Sequence, residues 1–311
     1  MDKKVRVALL SVGSNTVLTV GKLAAGVAMN SVAVLSEALH SGVDLLASLM
    51  AFASIRQSAK PADEQHQFGH GKFENMASLG EAMLIVLAAS FIIWHAAQKL
   101  LHPEPVTALG LGAALMGASA VVNFVVSQVL MKTARETDSP ALAADAWHLR
   151  TDVYTSFGVF LSIWIIYLTG WTIVDPLIGI AVALLILKAA FDLIRESTYG
   201  LLDVKLPEAE ESAIREVLDG FKHEYVEYHE LRTRRAGGER HVDLHLVLPY
   251  DTTVAEGNTL AEKIKTAIQD RLPRTYVLIS TEPCRVECEL CRQECKPPDT
   301  SPDKKSAGNY G

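Results

Sequence analysis

Long apolar stretches broken by short charged segments dominate the first two thirds of the chain. No Asp, Glu, Lys or Arg occurs between Glu81 and Lys99, between Glu104 and Lys132, or between Asp152 and Asp175. A bilayer core needs roughly 20 mostly apolar residues in a helix, so each gap predicts a membrane span. Residues 7–28, 32–55 and 172–195 hold further apolar runs interrupted by single charges. The pattern therefore predicts six spans, the last ending near Glu196. From about Lys205 charges become dense and apolar runs shorten to strand length. This predicts a separate soluble domain of roughly 80 residues, large enough for its own core. Its pattern reads α-β-β-α-β, with helices over 207–221 and 255–271 and strands over 226–235, 240–248 and 275–281. Residues 296–311, KPPDTSPDKKSAGNYG, hold almost nothing to bury and predict a disordered tail. The expected boundaries are 1–204, 205–284 and 285–311.

Charge orients this arrangement. Lys3, Lys4 and Arg6 precede the first expected span, and Arg56, Lys60 and Lys72 flank the loop after the second. Lys132 and Arg135 follow the fourth, Arg195 and Lys205 the sixth, while the alternate loops hold little beyond Lys99. By the positive-inside rule both termini face the cytoplasm. The N-terminus lacks the cleavage pattern of a signal peptide, so the first span is expected to be retained. The chain has 311 residues, 49% of them hydrophobic, and a net charge of −7 without a basic stripe, which argues against nucleic acid as a partner. All four cysteines lie between 284 and 295, on the expected cytoplasmic side, where a reducing environment disfavours a disulfide framework.

Two apolar stretches carry ionisable residues with a common layout. SEALHSGVDLLAS has Glu37, His40, Asp44 and Ser48; ADAWHLRTDVYTS has Asp145, His148, Asp152 and Ser156. Positions i and i+4 share a helix face, so His40 projects with Asp44 and His148 with Asp152. An ionisable group in a span is costly and normally meets a partner or a wet cavity. A lone His/Asp pair could be a structural hydrogen bond between packed helices. Two pairs at the same spacing on two spans point instead to a shared site. Two imidazoles and two carboxylates offer two nitrogen and two oxygen ligands, a set that suits tetrahedral zinc.

Other motifs are weaker. HEYVEYHE at 223–230 is not a zinc-protease helix, because H-E-x-x-H would need His where Glu227 stands. The Gly-His-Gly-Lys run ending at Lys72 lacks the earlier Gly and following Ser or Thr of a phosphate loop. In HVDLHLVL, Val242, Leu244, Leu246 and Leu248 alternate inward, leaving His241, Asp243 and His245 on the opposite face, as a metal array or a solvated one. Cys284, Cys288, Cys291 and Cys295 give C-x3-C-x2-C-x3-C, four thiols that could wrap one zinc or soft cation or stay unligated.

Six spans, H-x-x-x-D in the second and fifth, FGHGK in the loop between the second and third, and a small soluble C-terminal domain resemble the cation diffusion facilitator family over about residues 7–284. The resemblance implies an α-helical membrane protein with six transmembrane helices and a small α+β, copper-chaperone-like cytoplasmic domain for metal sensing and dimerisation. It implies export of divalent transition metal from the cytoplasm in exchange for protons, by a homodimer. His40, Asp44, His148 and Asp152 match the family's transport ligands. Asp63, His66 and His70 match a second metal site in the cytoplasmic loop, although loops rich in His and Asp also serve solubility. Lys72 and Asp203 resemble a charge pair at the dimer seam. His229, His245 and Glu282 match an interfacial metal site of the soluble domain, from which Asn258 and Ser280 depart where His is common.

The expected activity is thus zinc efflux by metal/proton antiport, with zinc as substrate and regulator, no organic cofactor and no enzymatic reaction. An iron, cobalt or cadmium exporter of the same family, or a non-transporting membrane sensor or scaffold, are the alternatives. In a bacterium the expected location is the inner membrane.

Overall fold

A computed structural model describes residues 3–28, 32–101, 111–171 and 173–284. Among them the elements run α1 (Lys3–Ala28), α2 (Val32–Ser58), α3 (Lys72–Leu101), α4 (Leu111–Thr137), α5 (Pro140–Thr169), α6 (Val174–Leu201), α7 (Glu208–Gly220), β1 (Glu227–Ala236), β2 (Glu239–Leu248), α8 (Val254–Arg271) and β3 (Thr275–Pro283). The chain divides into two compact units, one of residues up to Val204 with Ala236–Glu239, the other of Lys205–Arg235 and Arg240 onward.

The first unit is built from α1 to α6, each of 26–30 residues. At a rise of 1.5 Å per residue, a 26-residue helix is about 39 Å long, longer than the ~30 Å hydrocarbon layer. Among the described residues, three helical segments are also apolar enough to span by composition: Lys3–Ala25, Lys72–Leu101 and Val174–Leu201. The sequence pattern predicts six spans; α2, α4 and α5 match the others in length, with 27, 27 and 30 residues.

Packing in this unit is inside out relative to a water-soluble bundle. Small residues such as Ala47, Ala51, Ala82, Ala89, Ala144 and Ala183 are buried, whereas Val17, Phe91, Trp94, Trp164 and Leu184 are exposed. Lipid is as apolar as these side chains, so helices associate through close backbone approach and polar contacts. α1 packs on α2, α4 on α5 and α3 on α6, while α5 also touches α2, α3 and α6. Between α3 and α6, Ser197 Oγ donates to Ser78 Oγ at 2.7 Å. Gly200 is needed there, since a Cβ would fall 2.2 Å from Asn75 Nδ2. One buried carboxylate ties several helix ends together. Glu74 on α3 accepts from Lys4 of α1 at 2.9 Å and from Ser58 of α2 at 2.7 Å, and also from Ser139, just before α5.

The second unit has a three-stranded sheet in the order β1-β2-β3. β2 pairs with β3 in parallel, which requires a crossover, and α8 supplies it. α8 begins with a capping box between Thr253 and Glu256. Val242, Leu244, Leu246 and Leu248 form the sheet's buried face and pack with Ile214 and Leu218 of α7 and Leu260, Ile264 and Ile268 of α8. β3 runs two residues past its predicted end because it pairs with the whole of β2, as far as Leu248 opposite Pro283. Glu282 therefore stands within the sheet.

Candidate metal centre

Helical spacing aims His40 and Asp44 from α2, and His148 and Asp152 from α5, to the line where these two helices touch. Each His meets the Asp of the other helix. His148 Nε2 lies 3.2 Å from Asp44 Oδ1, and His40 Nε2 lies 3.7 Å from Asp152 Oδ1. One ligand atom each from His40, Asp44 and Asp152 falls within 4.8 Å of the other two. His148 stands outside that trio, its Nε2 turned to Asp44. Asp44 and His148 are buried, while the His40 side chain is 52% exposed, so the group opens to the surface on the His40 side. The side chain of Glu37 lies outside the described residues.

Two asparagines, which the spacing argument missed, bond to the two aspartates, one at the carboxylate and one at the backbone. Asn123 of α4 donates from Nδ2 to Asp152 Oδ2 at 3.4 Å, and Asn15 of α1 donates to the Asp44 backbone carbonyl at 3.5 Å. Both are buried, and each stands within a long, largely apolar run, SVGSNTVLTV in α1 and ASAVVNFVVS in α4, which is the signal the sequence offers for them. Mixed imidazole and carboxylate donors, held by outer hydrogen bonds, form a chemically sound cradle for a divalent transition ion.

The loop after α2 gathers Asp63, His66 and His70, also within 4.8 Å. Asp63 shapes the loop, accepting from the backbone N–H of His66 at 2.7 Å and of Gln65 at 3.0 Å. Gly69, at φ +82°, lets the chain return toward α3. The carboxyl faces His66 Nδ1 at 3.4 Å and His70 Nε2 at 3.3 Å. The His66 N–H holds the Asp63 carboxyl below its usual value, with Gln65 and the two imidazoles adding to the effect. At the other end of α3's first turn, Lys72 pairs with Asp203 at 2.9 Å and donates to the Leu201 carbonyl at 3.2 Å.

In the second unit, His229 of β1, His245 of β2 and Glu282 of β3 share one sheet face, their ligand atoms within 4.8 Å. His245 Nδ1 is 2.7 Å from Glu282 Oε1 and His229 Nε2 is 3.4 Å from Oε2. The His245 hydrogen bond holds the Glu282 carboxyl below its usual value, with His229 adding to it. His241 and Asp243 stand apart from this group. Register sets His241 opposite Tyr276, and their rings stack at 5.3 Å, while Asp243 is exposed. Ser280, opposite His245, adds no ligand nitrogen, and Asn258 lies on α8. Cys284 donates its backbone N–H to the Leu248 carbonyl at 2.8 Å; Cys288, Cys291 and Cys295 lie outside the described residues.

Known proteins place this geometry in a family. The cation efflux transmembrane domain matches residues 8–202, and the cation efflux protein cytoplasmic domain matches residues 206–284. An uncharacterized transporter of Synechocystis sp. is 38% identical over 277 residues, covering 89% of each chain. The cation-efflux pump FieF of Salmonella schwarzengrund is 30% identical over 281 residues, 90% of this chain and 93% of that one. A solved structure of CzrB in its Zn form, described as a candidate zinc transporter, is 34% identical over 26% of this chain and 92% of that one, with a TM-score of 0.25. With both domain matches in sequence order and relatives aligned along most of its length, this chain belongs to the cation efflux family of membrane transporters.

Proposed function

We propose that the chain exports zinc from the cytoplasm in exchange for protons, as a homodimer of six-span subunits with both termini cytoplasmic. One observation carries this reading. His40, Asp44 and Asp152 bring their ligand atoms within 4.8 Å across two helices of a membrane domain, with His148 bonded to Asp44 beside them. Two carboxylates balance one divalent cation, and two imidazoles favour a borderline-soft ion over magnesium or calcium. Zinc imposes no geometric preference of its own and suits such a set as a passing substrate.

The residues supply the coupling chemistry. An imidazole nitrogen binds a proton or a metal, not both, and its ordinary pKa of about 6.5 lies near ambient pH. Metal entering from the cytoplasm takes His148 Nε2 from Asp44 and displaces protons. When the helices shift to open the site outward, protons return to the imidazoles and weaken the metal's hold. The exposed His40 side stands as the entrance and exit. We assign Asp63, His66 and His70 as a second cytoplasmic zinc site. We assign His229, His245 and Glu282 as a regulatory zinc site in the dimerisation domain; loading it favours transport. The Lys72–Asp203 pair fixes the ends of α3 and α6 during the motion.

Reconstituted vesicles test the reading. Wild-type protein should move zinc, faster with an opposing proton gradient, and Asp152→Ala should abolish flux while leaving a folded dimer. Parallel flux of iron, cobalt and cadmium separates the metals. Zinc binding without zinc flux would favour the sensor reading, and near-normal flux in Asp152→Ala would sink the site assignment.

A further inference from the structure

A second pair of ionisable groups lies deeper in the first unit. Glu81 on α3 and Asp145 on α5 are both 0% exposed; neither Glu81 carboxyl oxygen has a hydrogen-bond partner, and Asp145 has only the Ser11 hydroxyl nearby, outside normal hydrogen-bond geometry. They lie within electrostatic reach of each other. Glu74, seven residues earlier on the same helix and equally buried, shows the contrast, for it accepts from Lys4, Ser58 and Ser139. Burying a lone carboxylate without compensation is prohibitive, so such a group takes up a proton or a cation. Two of them within electrostatic reach of each other do not both remain ionised in a dry site.

The surroundings decide between the two. Ala82, Ile85, Ala144, Ala183 and Ile186 form a buried apolar cluster that includes the sequence neighbours of both carboxyls, and their side chains offer no oxygen or nitrogen ligand to a divalent ion. A proton needs no further ligands. The groups that face the pair are few. Asp145 senses His148, one turn along α5, and Asp44 of α2; from α1 comes only the hydroxyl of Ser11. α4 directs Asn123 to Asp152 instead, and α6 turns inward apolar residues and Ser197, whose hydroxyl is bonded to Ser78, while its Lys188 and Asp192 are exposed. The charge nearest to the pair is therefore that of the His148–Asp44 couple.

We propose that Glu81 and Asp145 form a proton-binding site distinct from the metal ligands, which holds one shared proton while the ligands are empty and releases it when a divalent cation arrives. This rests on the transport reading. The balance is simple. Without metal, the negative charge of Asp44 acts on Asp145, and the pair keeps its proton and a single negative charge. A divalent cation neutralises Asp44, the second carboxyl of the pair then ionises, and its proton leaves to the water on the side where the site is open. Protons exchanged per metal thus exceed what the imidazoles alone supply.

The test uses the full-length protein in detergent. Zinc binding is titrated by calorimetry in buffers of differing ionisation enthalpy, which counts protons released per zinc. The double variant Glu81→Gln/Asp145→Asn should still bind the same number of zinc ions but release about one proton fewer, since fixed neutral amides replace both titrating groups. In wild type, infrared difference spectra should show a protonated-carboxyl carbonyl band that disappears on zinc addition and is missing in the double variant. Should the variant fail to fold, the wild-type band alone decides, and its absence overturns the proposal. Zinc bound with an unchanged proton count in the double variant overturns it as well. Loss of one bound zinc instead of one released proton would make the pair a metal ligand and reject the proton assignment. Failure of the transport reading looks different: Asp152→Ala would then bind and release as wild type does.

Discussion

His148 on α5 directs Nε2 to Asp44 Oδ1 on α2, 3.2 Å away, although 104 positions separate them in the chain. The site's strongest internal contact is thus a bond that metal must replace. Strengthening or weakening it changes metal affinity without adding or removing a ligand.

Asn123 offers the mildest way to disturb the site. It holds Asp152 Oδ2 at 3.4 Å without belonging to the four candidate ligands. Loss of such outer hydrogen bonds costs about 10–100-fold in metal affinity. Asn123→Ala should therefore raise the zinc concentration for half-maximal flux by that order and leave the maximal rate less affected. Vesicle flux over a zinc series measures both.

His40 should govern selectivity. It is the most exposed of the four, and as a neutral imidazole it leaves two formal negatives, on Asp44 and Asp152, to balance one cation. His40→Asp would give three negatives and a looser ligand set, which suits a larger ion. We expect zinc flux to persist and the cadmium-to-zinc flux ratio to rise by a few-fold. An unchanged or lower ratio would falsify the selectivity role.

Gly200 tests the close packing of α3 on α6. A Cβ there would meet Asn75 Nδ2 at 2.2 Å and Cγ at 2.8 Å, both in a buried side chain. Overpacking of this kind costs ~1–3 kcal/mol. Gly200→Ala should lower the Tm of the detergent-solubilised protein, and a combined change with Asn75→Ala should recover much of the loss.

A pH effect is expected in the second unit. Burial works to raise the Glu210 carboxyl, but Arg240 and Arg235 outweigh it and hold the group below its ordinary 4.5. A carboxyl lowered in the folded state contributes stability that is present above 4.5 and is lost as pH falls through the folded value. Hydrogen-exchange protection of α7 and β2, corrected for intrinsic rates, should fall as the protein is acidified below that range. Glu210→Gln should begin with lower protection and show a flatter decline.

The sequence was most informative where periodicity and chemistry coincided. H-x-x-x-D on α2 and α5 named the four candidate ligands because helical geometry alone puts each His with its Asp on one face. It did not reveal the crossed pairing of His40 with Asp152 and His148 with Asp44, which depends on how α2 and α5 pack. The sheet was legible from alternation through Val242 to Leu248, but the reach of β3 to Glu282 depends on its partner strand. Glu81 was visible only as the border of a charge-free run. Its burial beside Asp145 arises from three helices meeting, and no local pattern encodes that.

α5 touches α2, α3, α4 and α6. In genetic terms, that makes it the segment with the least freedom to drift. A substitution on a helix with one neighbour can be absorbed by moving outward into lipid, whereas a change on an inward face of α5 displaces something whichever way it shifts. Saturation mutagenesis scored by survival on toxic metal should therefore show a continuous band of intolerance along α5, including alanines that touch no ligand. A directed-evolution effort to retune this protein would find more freedom on α4 and α6, each packed on two other helices of the unit, with α5 left as the fixed reference.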